Sequence, residues 1–222
     1  MNIRPIQSKA DLRTFLDLPY QLYRSDPVWV PPLHSEQRGQ FDPHHNPLLV
    51  HCEWQHFLLE EGREAIGRVT AFIDRLALEA WNESIGFFGY YECIQNQTAS
   101  RLLLDSARDW LMGRGMRIMR GPWSFVSQEW GMVIEGFEPS PVVMAPYNPP
   151  YYNEQMAAFG LAKVKDTPPG RLATYLSQYA LFKLPPFEVR EFCLFSSFLS
   201  SERAIHQIEA VYPLGTTQEQ KA

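Results

Sequence analysis

The apolar positions fall into short runs of two different spacings. Asn2 to Ile6 reads as a first strand. Ser8-Lys9-Ala10-Asp11 has the form of a capping box, in which serine and acid side chains satisfy each other's orphan backbone N–H groups. Leu12, Phe15 and Leu16 then recur at helical spacing. Pro19 lacks the N–H that a helix interior uses, so a break is expected there, with Tyr20, Leu22 and Tyr23 on a second short turn. From Ser25 to Glu53, the prolines Pro27, Pro31, Pro32, Pro43 and Pro47 argue against regular structure, and a loop of that length is expected to be functional or a cover.

Gln55 to Glu60 and Ala65 to Asp74 are strand-like runs joined at Glu61-Gly62-Arg63, which predicts a hairpin. Ile85 to Glu92 predicts the next strand, with Gly86 and Gly89 marking a bulge or a close backbone approach. A helix follows, capped by Asn96 or Thr98, with Leu103, Ala107, Trp110 and Leu111 as its apolar face and Gly113 or Gly115 at its end. Met116 to Arg120 and Met132 to Phe137 predict two further strands. Pro149-Pro150 opens a helix over Tyr151 to Phe159 that Gly160 closes.

The predicted fold class is therefore α/β: a mixed, mostly antiparallel sheet flanked by helices. Residues 1–166 read as one domain. Residues 167–222 read as an irregular extension, degenerate or truncated and poorly ordered. Thr167-Pro168-Pro169-Gly170 and Pro185-Pro186 are breakers, Phe192 to Leu199 lacks clean periodicity, and Ser200 to Val211 predicts one more helix.

Composition narrows the function classes. With 222 residues, 45% hydrophobic and 20% charged, the chain can bury a core and is not a disordered polymer. No apolar run approaches the ~20 residues of a membrane span, and the start lacks the apolar segment of a secretory signal. Twenty Lys+Arg against 25 Asp+Glu, a formal charge of −5, argue against a surface that tracks nucleic-acid phosphates. Arg101, Arg108, Arg114, Arg117 and Arg120 have Asp105 and Asp109 as neighbours, which reads as a salt-bridged face. Cys52, Cys93 and Cys193 are few and far apart, as buried thiols in a reducing compartment would be. The expectation is a cytoplasmic protein with neither nucleic acid nor membrane as partner.

Several segments then carry a resemblance. They are Phe15-Leu-Asp-Leu-Pro-Tyr-Gln-Leu-Tyr23, Asp26-Pro-Val-Trp-Val-Pro-Pro-Leu33, Gly67-Arg-Val-Thr-Ala-Phe-Ile-Asp74 and Gly86-Phe-Phe-Gly-Tyr-Tyr-Glu92, followed by Arg114-Gly-Met116, Arg120-Gly-Pro122 and Tyr147-Asn-Pro-Pro-Tyr-Tyr152. In that order, over about residue 3 to Asp166, they resemble a group of poorly characterised bacterial proteins classed as GNAT-like N-acyltransferases. The resemblance implies the GNAT fold for residues 1–166. It also implies transfer of an acyl group from acyl-coenzyme A, as a co-substrate with no permanently bound cofactor, to a small-molecule amine acceptor. Fold membership alone does not establish chemistry.

The chain departs from that pattern in two places. GNAT enzymes typically hold the coenzyme A pyrophosphate on a glycine-containing loop after the fourth strand, at a helix N-terminus. Here the stretch is Ile94-Gln-Asn-Gln-Thr-Ala-Ser100, without glycine, and Gln95, Asn96, Gln97 and Thr98 are the candidate donor-binding residues. Many GNAT enzymes also place an acidic tyrosine four residues before the Gly-Phe that closes the last helix. Here that pair is Gly160-Leu161, and Met156 stands in the tyrosine's place. The family also runs on into a second α/β half, of which Lys163-Val-Lys-Asp166 and Leu184-Pro-Pro186 look like remnants, so a truncated or frame-disrupted member is expected.

Acyl transfer needs a base for the amine, a donor for the carbonyl oxygen and an acid for the thiolate. Glu92, at the end of the fourth strand, is the candidate base, against a merely solvated carboxylate. Tyr152 is the candidate alternative acid, and Tyr151 a substrate contact, against both rings simply packing helix onto sheet. Asn148 either orients substrate or caps the helix. His44, His45, His51 and His56, with Cys52 and Glu53, match no zinc spacing, so no metal is expected, and His34, His44 and His45 read as decorating the long loop. Neither a Gly-x-Ser-x-Gly elbow nor a Walker loop occurs, and Cys93 reads as a structural thiol rather than a nucleophile. Trp29, Trp54, Trp81, Trp123 and Trp130 either wall an apolar pocket or cover the sheet. The leading functional reading is an N-acyltransferase. The alternative is a vestigial binding module on the same fold, which would show as a groove at Glu92 to Thr98 filled by Trp123 or the tail.

Overall fold

In the computed structural model, residues 1–125, 131–138 and 146–163 are described in full, together with the backbone of two strands at 191–199 and 204–213. Five strands form one sheet in the order β1 (Asn2–Pro5), β2 (Cys52–Glu61), β3 (Glu64–Asp74), β4 (Ile85–Cys93) and β5 (Ile118–Arg120). The first three pairings are antiparallel and β4–β5 is parallel. The β2–β3 hairpin turns at Gly62, whose φ of 64° is the left-handed conformation glycine adopts at no steric cost.

Helices cover both faces. On one face, α4 (Gln97–Met112) turns Ala99, Leu103, Leu104, Ala107 and Leu111 onto Leu59, Val69, Ala71, Phe88 and Cys93, and Tyr152 and Met156 of α5 (Tyr151–Phe159) complete the cluster. Each fully buried leucine there contributes roughly 1.5–3 kcal/mol. On the other face, Phe15, Leu16 and Leu18 of α1 (Lys9–Leu22) pack on Leu58 and Ala65. A third cluster joins Leu49, Phe72, Ile85, Phe87 and Phe125. The mixed, mostly antiparallel sheet with flanking helices is the expected fold class.

The Ser8–Asp11 capping box forms, with Asp11 N–H to Ser8 Oγ at 3.1 Å and Ser8 N–H to Asp11 Oδ2 at 3.1 Å. The expected break at Pro19 does not occur: α1 runs through it to Leu22. Proline in a helix interior orphans the carbonyl four residues earlier, here that of Phe15. Arg68 on β3 fills the vacancy, its Nη1 donating to Phe15 O at 2.6 Å. A tertiary donor thus replaces the missing backbone one.

Other departures are local. Ser25 to Glu53 is not wholly irregular: α2 (His34–Gln40) and a 3-10 turn (Pro47–His51) lie within it. A short helix α3 (Arg75–Trp81), not anticipated, starts where Asp74 Oδ1 accepts the Leu76 and Ala77 N–H groups. Residues 132–137 form no strand. Ser200 to Val211 is not a helix where described: Ala204–Pro213 is strand β7, paired antiparallel with β6 (Glu191–Leu199). A short apolar run does not distinguish strand from helix by periodicity. The chain divides into two compact units, Met1–Lys163 and Val164–Ala222, and the β6–β7 hairpin belongs to the second. The breakers at 167–170 and 185–186 lie outside the described residues.

Three of the tryptophans cover the sheet. Trp54 packs edge-on to Phe125, and Trp81 and Trp123 pack against Phe87. Trp29 lies against Tyr20 and Tyr23, and Trp130 is outside the described residues. His56 sits beneath α1, its ring 5.1 Å from Phe15 and from Phe41 and its Nδ1 2.8 Å from Thr70 Oγ1.

Burial, with the Arg68 charge nearby, pushes the pKa of His56 down to about 3, so the folded protein keeps it neutral. Below about pH 6.5 the unfolded chain protonates this histidine and the folded one does not. Its contribution is therefore fully present above pH 6.5 and is lost as pH falls toward 3. Urea unfolding at pH 7.5 and pH 5 is expected to show about 2 kcal/mol less stability at the lower pH from this group. His56→Gln should remove that difference, and an equal pH slope in wild type and variant would refute the assignment.

Candidate functional site

Strand β4 carries a bulge. Arg68 pairs with Glu92 but Thr70 with Gly89, so β4 spends an extra residue there, and Tyr90 takes a φ of 50°. Bulges re-aim side chains and are frequent beside functional sites. This one turns Glu92 to the sheet face of Arg68, where the α1 residues also lie.

The Glu92 side chain is only 14% exposed and accepts from two phenols, Tyr23 of the α1 C-cap and Tyr152 of α5, the latter at 2.9 Å. Arg68 Nη2 lies 3.5 Å from the other carboxylate oxygen. The Tyr152 hydroxyl also receives the Cys93 N–H at 2.8 Å and stands 3.0 Å from the Tyr23 hydroxyl. Each phenol has one proton, and ionised Glu92 takes both. Protonated Glu92 would leave the pair to share hydrogen bonds with each other. Three oxygens thus form one hydrogen-bonded cluster at the end of β4.

Desolvation raises the pKa of Glu92 above the ordinary glutamate value, and the Arg68 guanidinium opposes it only in part. Burial beside the same carboxylate holds both Tyr23 and Tyr152 well above the ordinary phenol value, so both stay protonated. Arg68 is itself buried, held by Phe15 O and lying 4.8 Å above the Phe15 ring, with its Nε unpartnered. Removal of Glu92 would strand this charge.

The candidate donor segment lies beside this network. Asn96 caps α4, accepting the Ala99 N–H at 3.0 Å, so it and not Thr98 is the cap. A cavity of about 190 Å³ opens against Gln95, Asn96, Gln97, Tyr151, Glu154 and Gln155. Thr98 is exposed and outside its lining. Among the described residues neither lysine nor arginine lines the cavity, and Glu154 is an unfavourable neighbour for a pyrophosphate. Trp123 lies against Phe87, Phe88 and Gly89, so it does not fill the Glu92 to Thr98 groove. A wider surface groove of about 670 Å³ along α1, from Arg13 to Glu64, shares no lining residue with the network.

Two candidates are engaged elsewhere. Asn148 is buried and clamps Val133, its Oδ1 accepting the Val133 N–H at 2.7 Å and its Nδ2 donating to Val133 O at 3.2 Å. It is not the α5 cap, which is Pro150 without a side-chain bond. Tyr151 borders the cavity and donates to Cys93 O at 2.9 Å. Cys93 is fully buried, which pushes its thiol up to about 12, so its backbone faces the site and its sulfur is inert. Glu92 and Tyr152 are brought together. Tyr23 and Arg68 complete them and were absent from the sequence-based candidates, although a lone arginine in the apolar strand Ala65-Ile-Gly-Arg-Val-Thr-Ala-Phe-Ile73 signals a buried ion pair.

No family model matches the chain. It is 34% identical over 162 residues to Protein YghO of Escherichia coli K12, a match covering 72% of this chain and 41% of that protein. It is 31% identical over 168 residues to a bacterial ceramide synthase of Caulobacter vibrioides, covering 75% of this chain and 44% of that one. The chain therefore spans less than half the length of these curated relatives. Among solved structures it superposes on the apo aminoglycoside 6'-N-acetyltransferase AAC(6')-IG of Acinetobacter haemolyticus with a TM-score of 0.45 and 16% identity, covering 75% of this chain and 94% of that one. Among the described residues, no helix is long and apolar enough to cross a membrane. The mixed five-stranded sheet with flanking helices is the fold class that the sequence predicts, and the similarities found are to a bacterial ceramide synthase and to acetyltransferase structures.

Proposed function

We propose that this chain is an N-acyltransferase domain that moves an acyl group from acyl-coenzyme A to an amine. The observation that carries the reading is the buried Glu92 carboxylate, bonded to two protonated phenols beside the Cys93 N–H. Glu92 accepts the proton of the incoming ammonium, and the freed amine attacks the thioester carbon. The C–N bond forms and the C–S bond breaks; the proton held by Glu92 passes through Tyr152 to the leaving thiolate, and the freed Glu92 carboxylate takes the second proton of the attacking nitrogen and releases it to solvent. A base with a raised pKa suits this task, because it holds the substrate proton more strongly than an ordinary carboxylate. When the donor enters, the Cys93 N–H exchanges the Tyr152 oxygen for the thioester carbonyl oxygen.

A ceramide is the amide of a long-chain amino alcohol, so similarity to a ceramide synthase supports a long-chain amine as acceptor. The test incubates the chain with acetyl- or long-chain acyl-coenzyme A and a long-chain amino alcohol, reading thiol release and amide mass. Amide in step with thiol supports the proposal; neither product from any pair overturns it. Tyr152→Phe is expected to lower kcat by roughly 100-fold with the fold intact, because the proton path is cut. An unchanged kcat would remove Tyr152 from the chemistry.

The occupied Cys93 N–H and the Glu154 carboxylate at the cavity favour a second reading, a closed, non-catalytic module on the same fold. Coenzyme A at ~100 times its dissociation constant adds about 2.7 kcal/mol of stability. That moves the midpoint of a melt by roughly 5 to 11 °C. Such a shift belongs to the enzyme, and an unmoved melt to the closed module.

A further inference from the structure

We propose that His51, Cys52 and Asp74 form a site for a thiophilic divalent cation of the zinc class. The register of the hairpin builds it. Cys52 and Asp74 are direct partners where β2 begins and β3 ends, so their side chains stand on one face of the sheet. The 3-10 turn ends at His51 and lays its imidazole across them. His51 Nδ1 is 2.8 Å from Asp74 Oδ1 and 3.9 Å from Cys52 Sγ, and the three donor atoms lie within 4.8 Å of one another.

Metal–ligand distances of about 2.0–2.3 Å place the ligand atoms of a tetrahedral site about 3.3–3.6 Å apart. The cluster is therefore within roughly 1 Å of the spacing that encloses an ion. Asp74 is already oriented, its Oδ1 taking the Leu76 and Ala77 N–H groups; on binding, the ion takes the place of the proton between His51 Nδ1 and the Asp74 carboxylate. Hydrogen bonds of this kind orient ligands in metal sites. The His51 and Asp74 side chains are 22% and 27% exposed, so an ion has a path in and the fourth position is open to water. Sulfur, imidazole nitrogen and a single carboxylate select zinc over magnesium or calcium.

Sequence spacing does not show this site, because the third ligand lies across a hairpin rather than at a motif offset. It is also separate from the proposed catalytic network: Asp74 is about 20 Å along β3 from Arg68, at ~3.3 Å per residue. A bound ion would fasten the end of the proline-rich 25–53 segment to the sheet.

The test is titration of the full, reduced chain with Co²⁺ and then Zn²⁺. One equivalent of Co²⁺ should give a sulfur-to-cobalt charge-transfer band that Zn²⁺ displaces. Cys52→Ser should abolish that band, whereas Cys93→Ser and Cys193→Ser should keep it. His51→Ala should weaken binding at least about as much as the 10–100-fold that losing an outer hydrogen-bond partner costs. Absence of the band in the wild type, or its survival in Cys52→Ser, overturns the site. If Cys52→Ser fails to fold by circular dichroism, His51→Ala decides, and unchanged Co²⁺ affinity there overturns it.

Discussion

Glu92→Gln is expected to reduce kcat for acyl transfer by roughly 10²–10⁴-fold, the range typical of a lost general base. Glutamine keeps the shape and still accepts the Tyr23 and Tyr152 hydroxyls, but it cannot take a proton. KM should change far less than kcat, because the lost interaction belongs to proton transfer. The pH profile gives a second readout. Desolvation raises the pKa of Glu92, and a base works only when ionised. Activity should therefore climb with pH along a limb that begins above the ordinary glutamate range, and the variant's residual rate should lack that limb. A confound is stability, since breaking a buried ion pair from one side costs about 3–5 kcal/mol, here by stranding Arg68. The double variant Arg68→Met with Glu92→Gln removes both charges and should recover part of the stability, less the Arg68 bond to Phe15 O, without recovering rate. Recovery of rate together with stability would make Glu92 structural.

Glu92 and Tyr152 were legible in the sequence because they sit at the ends of strongly patterned elements, a strand and a helix that periodicity and caps both mark. The hairpin at Gly62, the capping box at Ser8 and the Asn96 cap were legible for the same reason: each rests on residues within four positions of one another. Tyr23 and Arg68 depend on distant partners. Arg68 reaches Glu92 only through the β3–β4 register, and the bulge at Tyr90 sets which face Glu92 takes. Pro19 makes the same point in reverse. Its local rule predicts a break, and the Arg68 guanidinium, 53 positions beyond Phe15, supplies the hydrogen bond that overrides it. The His51–Cys52–Asp74 cluster is likewise a product of pairing and not of spacing.

Gly89→Ala is expected to be the most damaging single methyl group that can be added to this fold. A Cβ at Gly89 would stand 1.6 Å from Trp123 O and 2.7 Å from Trp123 C, inside the carbonyl group itself. The obstacle is backbone and cannot rotate away. That backbone is also tied down, by Trp123 N–H to Phe88 O at 2.9 Å and Phe125 N–H to the Tyr90 hydroxyl at 2.8 Å. The 121–125 segment must lift off, and Phe125, only 2% exposed, leaves its contacts with Phe72, Phe41 and Tyr90. Emptying a buried phenylalanine site costs about 3–5 kcal/mol, so the midpoint should fall by roughly 6 to 20 °C. Gly86 and Gly39 calibrate the effect. At Gly86 the nearest atom is Leu111 Cδ2 at 2.3 Å, the end of a side chain that can change rotamer, so alanine there should cost an intermediate amount. At Gly39, inside α2, nothing lies within 4 Å, so alanine should stabilise by about 0.5–1 kcal/mol through helix propensity. Thermal melts of the three variants should rank in that order. Because Gly89 opens the bulge that aims Glu92, acyl transfer by Gly89→Ala should fall even at temperatures where the variant stays folded. A Gly89→Ala protein with unchanged midpoint and rate would mean that the 121–125 segment does not rest on β4.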